Sequence, residues 1–256
     1  MQVGNAVPIY LATAVLSSFC KYFSQIAPKK KNINALSLFC GAGGMDIGAD
    51  NASYKNVRIK TRLSSDIWED ACQSLKTYYK NVNNSTSNVI TADISKIDNP
   101  TEFWKQNTKS VELDMIYGGP PCQAFSQAGK QKGTNDIRGT MVFQYLRVVG
   151  DLKPKAFLIE NVSNLKGING GQIMRDILKL IDELGYNCNV QLLSAHHYGA
   201  PQKRKRIFFM CSQKGTPSVE TPKETNYDGD MYALPFNTVA KAFSGLPPAT
   251  CISEDK

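Results

Sequence analysis

A cysteine, a glutamate and two arginines are the residues of this sequence best suited to chemistry. Cys122 comes just after one predicted strand, behind Pro120-Pro121, and Glu160 ends the next strand. Arg204 and Arg206 lie two residues apart, on one face of a later strand. Alone, each has an ordinary explanation: a buried thiol, a helix cap, a solvated basic face. Because α/β enzymes carry their chemistry at the carboxyl ends of strands, the ordered set predicts a site for nucleophilic chemistry there.

A glycine-rich loop forms the second candidate site. Residues 39–46 read Phe-Cys-Gly-Ala-Gly-Gly-Met-Asp, with glycines at Gly41, Gly43 and Gly44, directly after a predicted strand. Such a loop lets the backbone approach a ligand at a helix start, and Asp66, at the end of the following strand, suits ribose hydroxyls. The spacing differs from Gly-x-Gly-x-x-Gly. The loop therefore indicates either a nucleoside cofactor or a tight turn without a ligand.

Strands alternate with helices between the two sites and beyond them. A buried strand is predicted at 35–40, an alternating strand at 57–65 and further strands at 89–94, 113–117 and 156–159. Helices are predicted at 9–23, 45–52, 68–80, 140–152 and 170–184. Residues 189–194 and 206–211 predict an antiparallel pair, and 237–244 a short helix. This order predicts an α/β fold with a doubly wound, mostly parallel sheet and an antiparallel edge hairpin.

Composition restricts the classes of protein that remain. The chain has 256 residues, 42% of them hydrophobic, and a formal charge of +8, which favours a polyanionic partner. Seven cysteines without a Cys-x-x-Cys pair indicate a reducing compartment, with neither a disulfide framework nor a metal site. The apolar run 7–20 is too short for a bilayer and has no basic residue before it. We therefore expect a cytoplasmic protein without a membrane segment.

Taken together, these motifs resemble the C5 cytosine DNA methyltransferases over residues 35–212. The matches, in the order of that family, are Phe39 to Gly44, Asp66, Asp93-Ile94, Pro121-Cys122-Gln123, Arg138-Gly139-Thr140, Glu160-Asn161-Val162 and Gln202-x-Arg204-x-Arg206. The resemblance implies the class I fold of methyltransferases that use S-adenosylmethionine. It also implies duplex DNA as the partner, with the target cytosine flipped out of the helix.

The resemblance also assigns roles to single residues. Cys122 would attack C6 of cytosine, protonated Glu160 would contact N3, and Arg206, supported by Arg204, would hold the O2 edge. Residues 123–133 would form a loop that closes on the flipped nucleotide. The implied cofactor contacts are the glycine loop, Phe39 and Ile67 around the adenine, Asp66 on the ribose, Asp93 and Ile94 at the adenine edge, and Pro121 and Met141 lining the pocket.

The chain departs from the family at both ends. The Gly-Asn-x-Val-Pro motif that closes family members matches residues 4–8 here, which predicts a circular permutation with Asn5 near the cofactor. The predicted regions are a permuted helix at 1–23, a linker at 24–34, the catalytic domain at 35–212 and an extension at 213–256. No target-recognition region is recognisable, so we expect a second polypeptide to supply it, within a restriction–modification system.

Three alternatives remain open on the sequence. An RNA cytosine-5 methyltransferase would carry the same motifs, and a truncated, non-catalytic scaffold would explain the missing region. A Rossmann oxidoreductase would use the glycine loop but would give Cys122 and Arg206 no common task.

Overall fold

A central mixed sheet organises the chain. The computed structural model describes residues 6–81, 87–121, 141–227 and 234–246. Within these residues the strands are β1 (Asn32–Leu38), β2 (Ser53–Tyr54), β3 (Val57–Asp66), β4 (Asn88–Thr91), β5 (Met115–Gly118), β6 (Ala156–Val162), β7 (Tyr186–Ser194) and β8 (Lys205–Gln213). Their order is β2-β3-β1-β5-β6-β8-β7, and β4 also pairs with β3.

The direction of the strands confirms the predicted topology. Strands β4, β3, β1, β5 and β6 run parallel to one another, whereas the short β2 is antiparallel to β3, and β8 is antiparallel to both β6 and β7. The carboxyl ends of β1, β3, β5 and β6 therefore meet at one edge of the sheet, and β8 begins at that same edge. This arrangement places Asp66, Glu160 and Arg206 along one side of the sheet. We call this side, where β1, β3, β5 and β6 end and β8 begins, the rim.

Helices cover both faces of the sheet, which explains why the parallel strands are apolar on both sides. They are α1 (Ile9–Ile26), α2 (Gly44–Asn51), α3 (Glu69–Asn81), α4 (Pro100–Thr108), α5 (Met141–Leu152), α6 (Gln172–Glu183) and α7 (Val239–Phe243). Alternate residues of one strand join opposite cores: in β6, Leu158 packs with α1, and Phe157 packs with α5 and α6.

The amino-terminal helix α1 belongs to the first of these cores. One stripe of it, including Leu11, Val15 and Phe19, is fully buried against the sheet. A methyl group added at Gly48 of α2 would lie 2.5 Å from Cβ of Ala12, so the two helices pack as closely as a glycine permits. Helix α1 continues to Ile26 rather than ending at residue 23, and the connection to β1 is therefore shorter than the predicted 24–34.

Ion pairs fix the connection between α1 and β1 at the amino-terminal ends of the parallel strands, on the side of the sheet opposite the rim. The side chain of Asp114, which is fully buried, accepts from Lys30 Nζ at 2.6 Å and Lys155 Nζ at 3.2 Å. Its other oxygen accepts from the backbone N–H of Asn34 at 2.9 Å. Glu112 contacts both lysines. A buried carboxylate with this many donors is well compensated, so the start of β5 holds the linker in place.

Two local differences from the sequence prediction have simple causes. Helix α4 was not predicted, although Asn99 caps it through the N–H of Glu102 and Pro100 occupies its first turn. Strand β4 ends at Thr91, because Asp93 caps a 3-10 turn that begins at Ile94.

No helix among the described residues is long and apolar enough to cross a membrane.

Candidate active site

Glu160 is a buried carboxyl at the rim. It lies near the end of β6, opposite Phe208 of β8, and only 7% of its surface is exposed. Burial raises the pKa of the Glu160 carboxyl from 4.5 to about 7, and the guanidinium groups of Arg206 and Arg204 oppose that rise. A carboxyl with a pKa near neutrality can donate a proton at physiological pH.

The two arginines face this carboxyl. Arg206 Nε lies 2.8 Å from Glu160 Oε1, but Glu160 Oε1 has no aligned hydrogen-bond donor among the described residues. The contact is therefore a charge pair rather than a well-directed hydrogen bond. Arg204 precedes β8 instead of lying within it, and its Nε and Nη2 atoms are buried without a hydrogen-bond partner in the described part of the chain.

Buried polar atoms without partners cost free energy, and their concentration here is informative. One carboxylate oxygen and two guanidinium nitrogens around the Glu160 side chain are all unsatisfied. Burial and the neighbouring Arg206 lower the pKa of Arg204. The site thus holds an acceptor and donors suited to the polar edge of a planar ligand.

The segment that leads to Cys122 touches the same carboxyl. A methyl group added at Gly119 would lie 2.9 Å from Glu160 Oε2, so any larger residue here would displace this carboxyl. Asn161, which is 3% exposed, donates from Nδ2 to the carbonyl oxygen of Pro120 at 3.0 Å. Gly119 and Asn161 were not predicted as site residues, although their places beside Pro120-Pro121-Cys122 and Glu160 could have indicated it.

Some residues of the predicted site lie outside the described residues. They are Cys122, Asn5, Arg138 to Thr140 and the predicted closing loop at 123–133. Pro121 is described and exposed, and it directly precedes Cys122. The structure thus brings Glu160, Arg204 and Arg206 together and carries the backbone to Pro121 beside them. The position of the Cys122 thiol stays a prediction.

The glycine loop is held by Asp66. Its Oδ2 accepts from the N–H of Gly41 at 2.9 Å, and its Oδ1 accepts from the N–H of Trp68 at 3.0 Å. Phe39, Gly41 and Gly43 all have positive φ angles, so the loop turns sharply away from β1. Each carboxylate oxygen retains a second lone pair, and Asp66 can therefore still accept from hydroxyl groups.

The surroundings of Asp66 fit an adenosine group. Ile67 beside it is 56% exposed, and Phe39 is half-buried in the same rim. Asp93 follows the neighbouring strand β4, and its Oδ1 accepts from both the N–H and the hydroxyl of Ser95. These hydrogen bonds lower the pKa of Asp93 and keep it ionised. Ile94 is buried, and Met141, which starts α5, is half-buried.

The other two glycines of the loop are required for packing. A methyl group at Gly43 would lie 2.5 Å from Cδ1 of Leu75 in α3. A methyl group at Gly44 would lie 2.6 Å from the carbonyl oxygen of Val7, so the amino-terminal segment passes directly against the loop.

Asp46, which was not predicted as a site residue, supports this loop from the first turn of α2. It is fully buried in the first turn of α2 and accepts from Ser64 Oγ at 2.7 Å, Ser37 Oγ at 3.1 Å and the Tyr117 hydroxyl at 3.3 Å. Burial raises the pKa of Asp46 to about 6, and these three hydroxyls oppose the rise.

The strand order, the antiparallel β8 and the loop after β1 define a class I methyltransferase fold that is typical of enzymes using S-adenosylmethionine. Residues 33–242 match the sequence profile of the C-5 cytosine-specific DNA methylases. The chain belongs to this family.

Relatives with known names support the assignment. The type II methyltransferase M.FnuDI of Fusobacterium nucleatum is 37% identical over 179 residues, which cover 70% of this chain and 46% of that protein. M.AquIA of Picosynechococcus sp. is 32% identical over 232 residues, covering 84% of this chain and 89% of that protein. The chain thus spans less than half of M.FnuDI but most of M.AquIA.

A solved structure agrees with the fold. An E. coli prophage protein described as a DNA modification methyltransferase superimposes with a TM-score of 0.62 at 26% identity, covering 85% of this chain and 56% of that one. The Entamoeba histolytica methyltransferase EhMeth, at 22% identity and a TM-score of 0.57, shows the same fold.

Proposed function

We propose that this chain methylates C5 of cytosine in duplex DNA through a covalent adduct between Cys122 and C6. The observation that supports this most strongly is the buried group formed by Glu160, Arg204 and Arg206, with unsatisfied polar atoms, beside the strand that leads to Cys122. A donor–acceptor set of this kind matches the N3 and O2 edge of a cytosine.

The chain's own residues supply the activation of the base. The Cys122 thiolate adds to C6, which breaks the C5–C6 double bond, and Glu160 holds a proton at N3 as electron density moves into the ring. Arg206 and Arg204 stabilise the charge that grows at O2. Loss of the C5 proton after methylation restores the double bond as the thiolate leaves.

S-adenosylmethionine, when bound, supplies the electrophilic methyl group for this reaction. Asp66 would accept from the ribose hydroxyls, Ile67 and Phe39 would cover the adenine, and Asp93 with Ile94 would contact its edge. The glycines at 41, 43 and 44 would keep the loop close to the cofactor, and Pro121 and Met141 would line the pocket. The exposed apolar side chain of Ile67 beside an ionisable acceptor supports this assignment.

The direct test is transfer of labelled methyl groups from S-adenosylmethionine to duplex DNA of mixed sequence, with transfer RNA as a parallel substrate. We expect label in DNA and none with Cys122→Ser. DNA that contains 5-fluorocytosine should form a denaturation-resistant adduct with the unmodified chain only, because fluorine blocks loss of the C5 substituent. Label in RNA alone, or an adduct with Cys122→Ser, would contradict the proposal.

We further infer that the chain is the catalytic subunit of a split enzyme, active in the cytoplasm within a restriction–modification system. Its 89% coverage of M.AquIA, a relative of similar length, supports the presence of short catalytic chains in this family. Methylation confined to a defined target sequence should therefore require the product of a neighbouring gene that carries the recognition region. Full sequence-specific methylation by the purified chain alone would refute this requirement.

The proposed circular permutation assigns a cofactor role to residues 4–8. The approach of Val7 to Gly44 supports it, because it brings this segment against the loop that follows β1. Asn5→Ala should weaken cofactor binding while leaving the free energy of unfolding unchanged. Equal cofactor affinity in the variant and the parent chain would contradict the role.

A further inference from the structure

Two cysteine sulfurs lie in contact on the strand pair farthest from β4. Cys188 in β7 and Cys211 in β8 are direct register partners, and their Sγ atoms are 2.9 Å apart. Facing residues of antiparallel strands have Cα atoms roughly 4.5–5.5 Å apart, which lies within the range that a disulfide spans. The two Sγ atoms must approach each other by about 0.9 Å to reach the length of a disulfide bond.

The two thiols differ in their surroundings. Cys211 is fully buried within the core formed by α5 and α6, and burial raises the pKa of its thiol well above the usual value. Cys188 is half-buried on the edge strand β7 and is therefore the member that a small oxidant can reach. Neither thiol belongs to the proposed active site.

We propose that Cys188 and Cys211 are an oxidative modification site that closes to a reversible disulfide. A peroxide oxidises the Cys188 thiol to a sulfenic acid and releases one water. The Cys211 thiol then attacks that sulfur, the S–O bond breaks, and the hydroxyl leaves with the thiol proton as a second water. Two thiols and one hydrogen peroxide thus give one disulfide and two waters.

The position of the pair predicts what the disulfide would do. The loop that it closes, residues 188–211, contains the turn after β7 together with Arg204 and Arg206. The sulfurs lie five residues along β8 from Arg206, away from the rim. The disulfide should therefore restrict the unfolded chain without entering the active site, and raise the melting temperature by roughly 5–10 °C.

Trypsin separates the two cysteines cleanly, which makes the test direct. Residues 180–203 and 207–214 form two peptides with one cysteine each. After treatment of the full chain with hydrogen peroxide, mass spectrometry should find these peptides joined, two hydrogens lighter than their sum, and dithiothreitol should separate them. The tryptic peptide 1–21 is the internal control, because Cys20 packs in the core on the other face of the sheet.

Thermal unfolding gives an independent readout. The peroxide-treated chain should melt higher than the same sample after dithiothreitol, and Cys188→Ser should abolish both the joined peptide and this difference. The comparison of oxidised with reduced parent chain needs no variant, so it remains valid if Cys188→Ser folds poorly. Over-oxidation of Cys188 without a joined peptide, or joining of either cysteine to a different one, would overturn the proposal.

Discussion

Replacing Glu160 with glutamine should change how the stability of the protein depends on pH. In the folded chain the pKa of Glu160 is raised to about 7, mainly by burial. Between pH 4.5 and pH 7 the folded state therefore holds a proton that the unfolded state has lost. The contribution of Glu160 to the free energy of unfolding is therefore at its full value at low pH and is lost as the pH rises towards about 7.

The size of the effect follows from the two pKa values. Moving a pKa from 4.5 to about 7 corresponds to about 3.4 kcal/mol, at 1.36 kcal/mol per pH unit. Roughly 2.5 kcal/mol of this falls between about pH 5 and about pH 8. Glutamine cannot titrate, so Glu160→Gln should gain about that much relative to the parent chain over this interval. Other buried acids, such as Asp46, contribute equally to both proteins and cancel.

Urea unfolding of both proteins at the two pH values measures this difference. Glu183→Gln provides a matched control, because Glu183 is an exposed carboxyl on α6 whose nearest cation, Lys179, lies 3.8 Å away. This control should keep the pH dependence of the parent chain. If Glu160→Gln and the parent lose stability in parallel from about pH 5 to about pH 8, the folded Glu160 is not protonated near neutrality. The proposed proton at N3 would then lose its support.

Three further substitutions test the rim and the loop. Asp66→Ala should weaken cofactor binding about tenfold or more, followed by the fluorescence of the exposed Trp68, whereas an unchanged titration would exclude Asp66 from the pocket. Asn161→Ala should lower kcat for DNA methylation while cofactor affinity is retained, because the carbonyl oxygen of Pro120, ahead of the nucleophile, loses its hydrogen bond. A parallel loss of kcat and cofactor affinity would indicate general misfolding instead. Gly44→Ala should cost about 1–3 kcal/mol in urea unfolding, because its methyl group would meet the carbonyl oxygen of Val7, and an unaffected variant would show that the amino-terminal segment does not pack there.

Much of the fold could be predicted from periodicity and strand order. Apolar strands with a helix after each predict a parallel sheet, and the antiparallel β7–β8 pair followed from two alternating segments without a helix between them. Helix α4 was missed because its sequence is polar, with few apolar positions to reveal a period. Its Asn-Pro start was the available signal.

The residues of the site could be predicted from the sequence, but the hydrogen bonds between them could not. The motifs identified Glu160 and Arg206 as neighbours, because adjacent strands end and begin at one rim. They did not predict that Asn161 would hold the carbonyl of Pro120, or that Asp66 would hold Gly41. Such contacts depend on side-chain direction between segments distant in sequence. No sequence pattern fixed the contact between Cys188 and Cys211, since strand register had to be known first.

The ion pairs around Asp114 have a consequence for limited proteolysis of the protein. Lys30 and Asn34, which flank the start of β1, are both held by this carboxylate at the end of the sheet remote from the rim. A protease cut between Lys29 and Lys30 would free the carboxyl end of α1, while the apolar stripe keeps this helix packed against the sheet. The two fragments should remain associated, so peptide continuity at this joint contributes little to holding the molecule together.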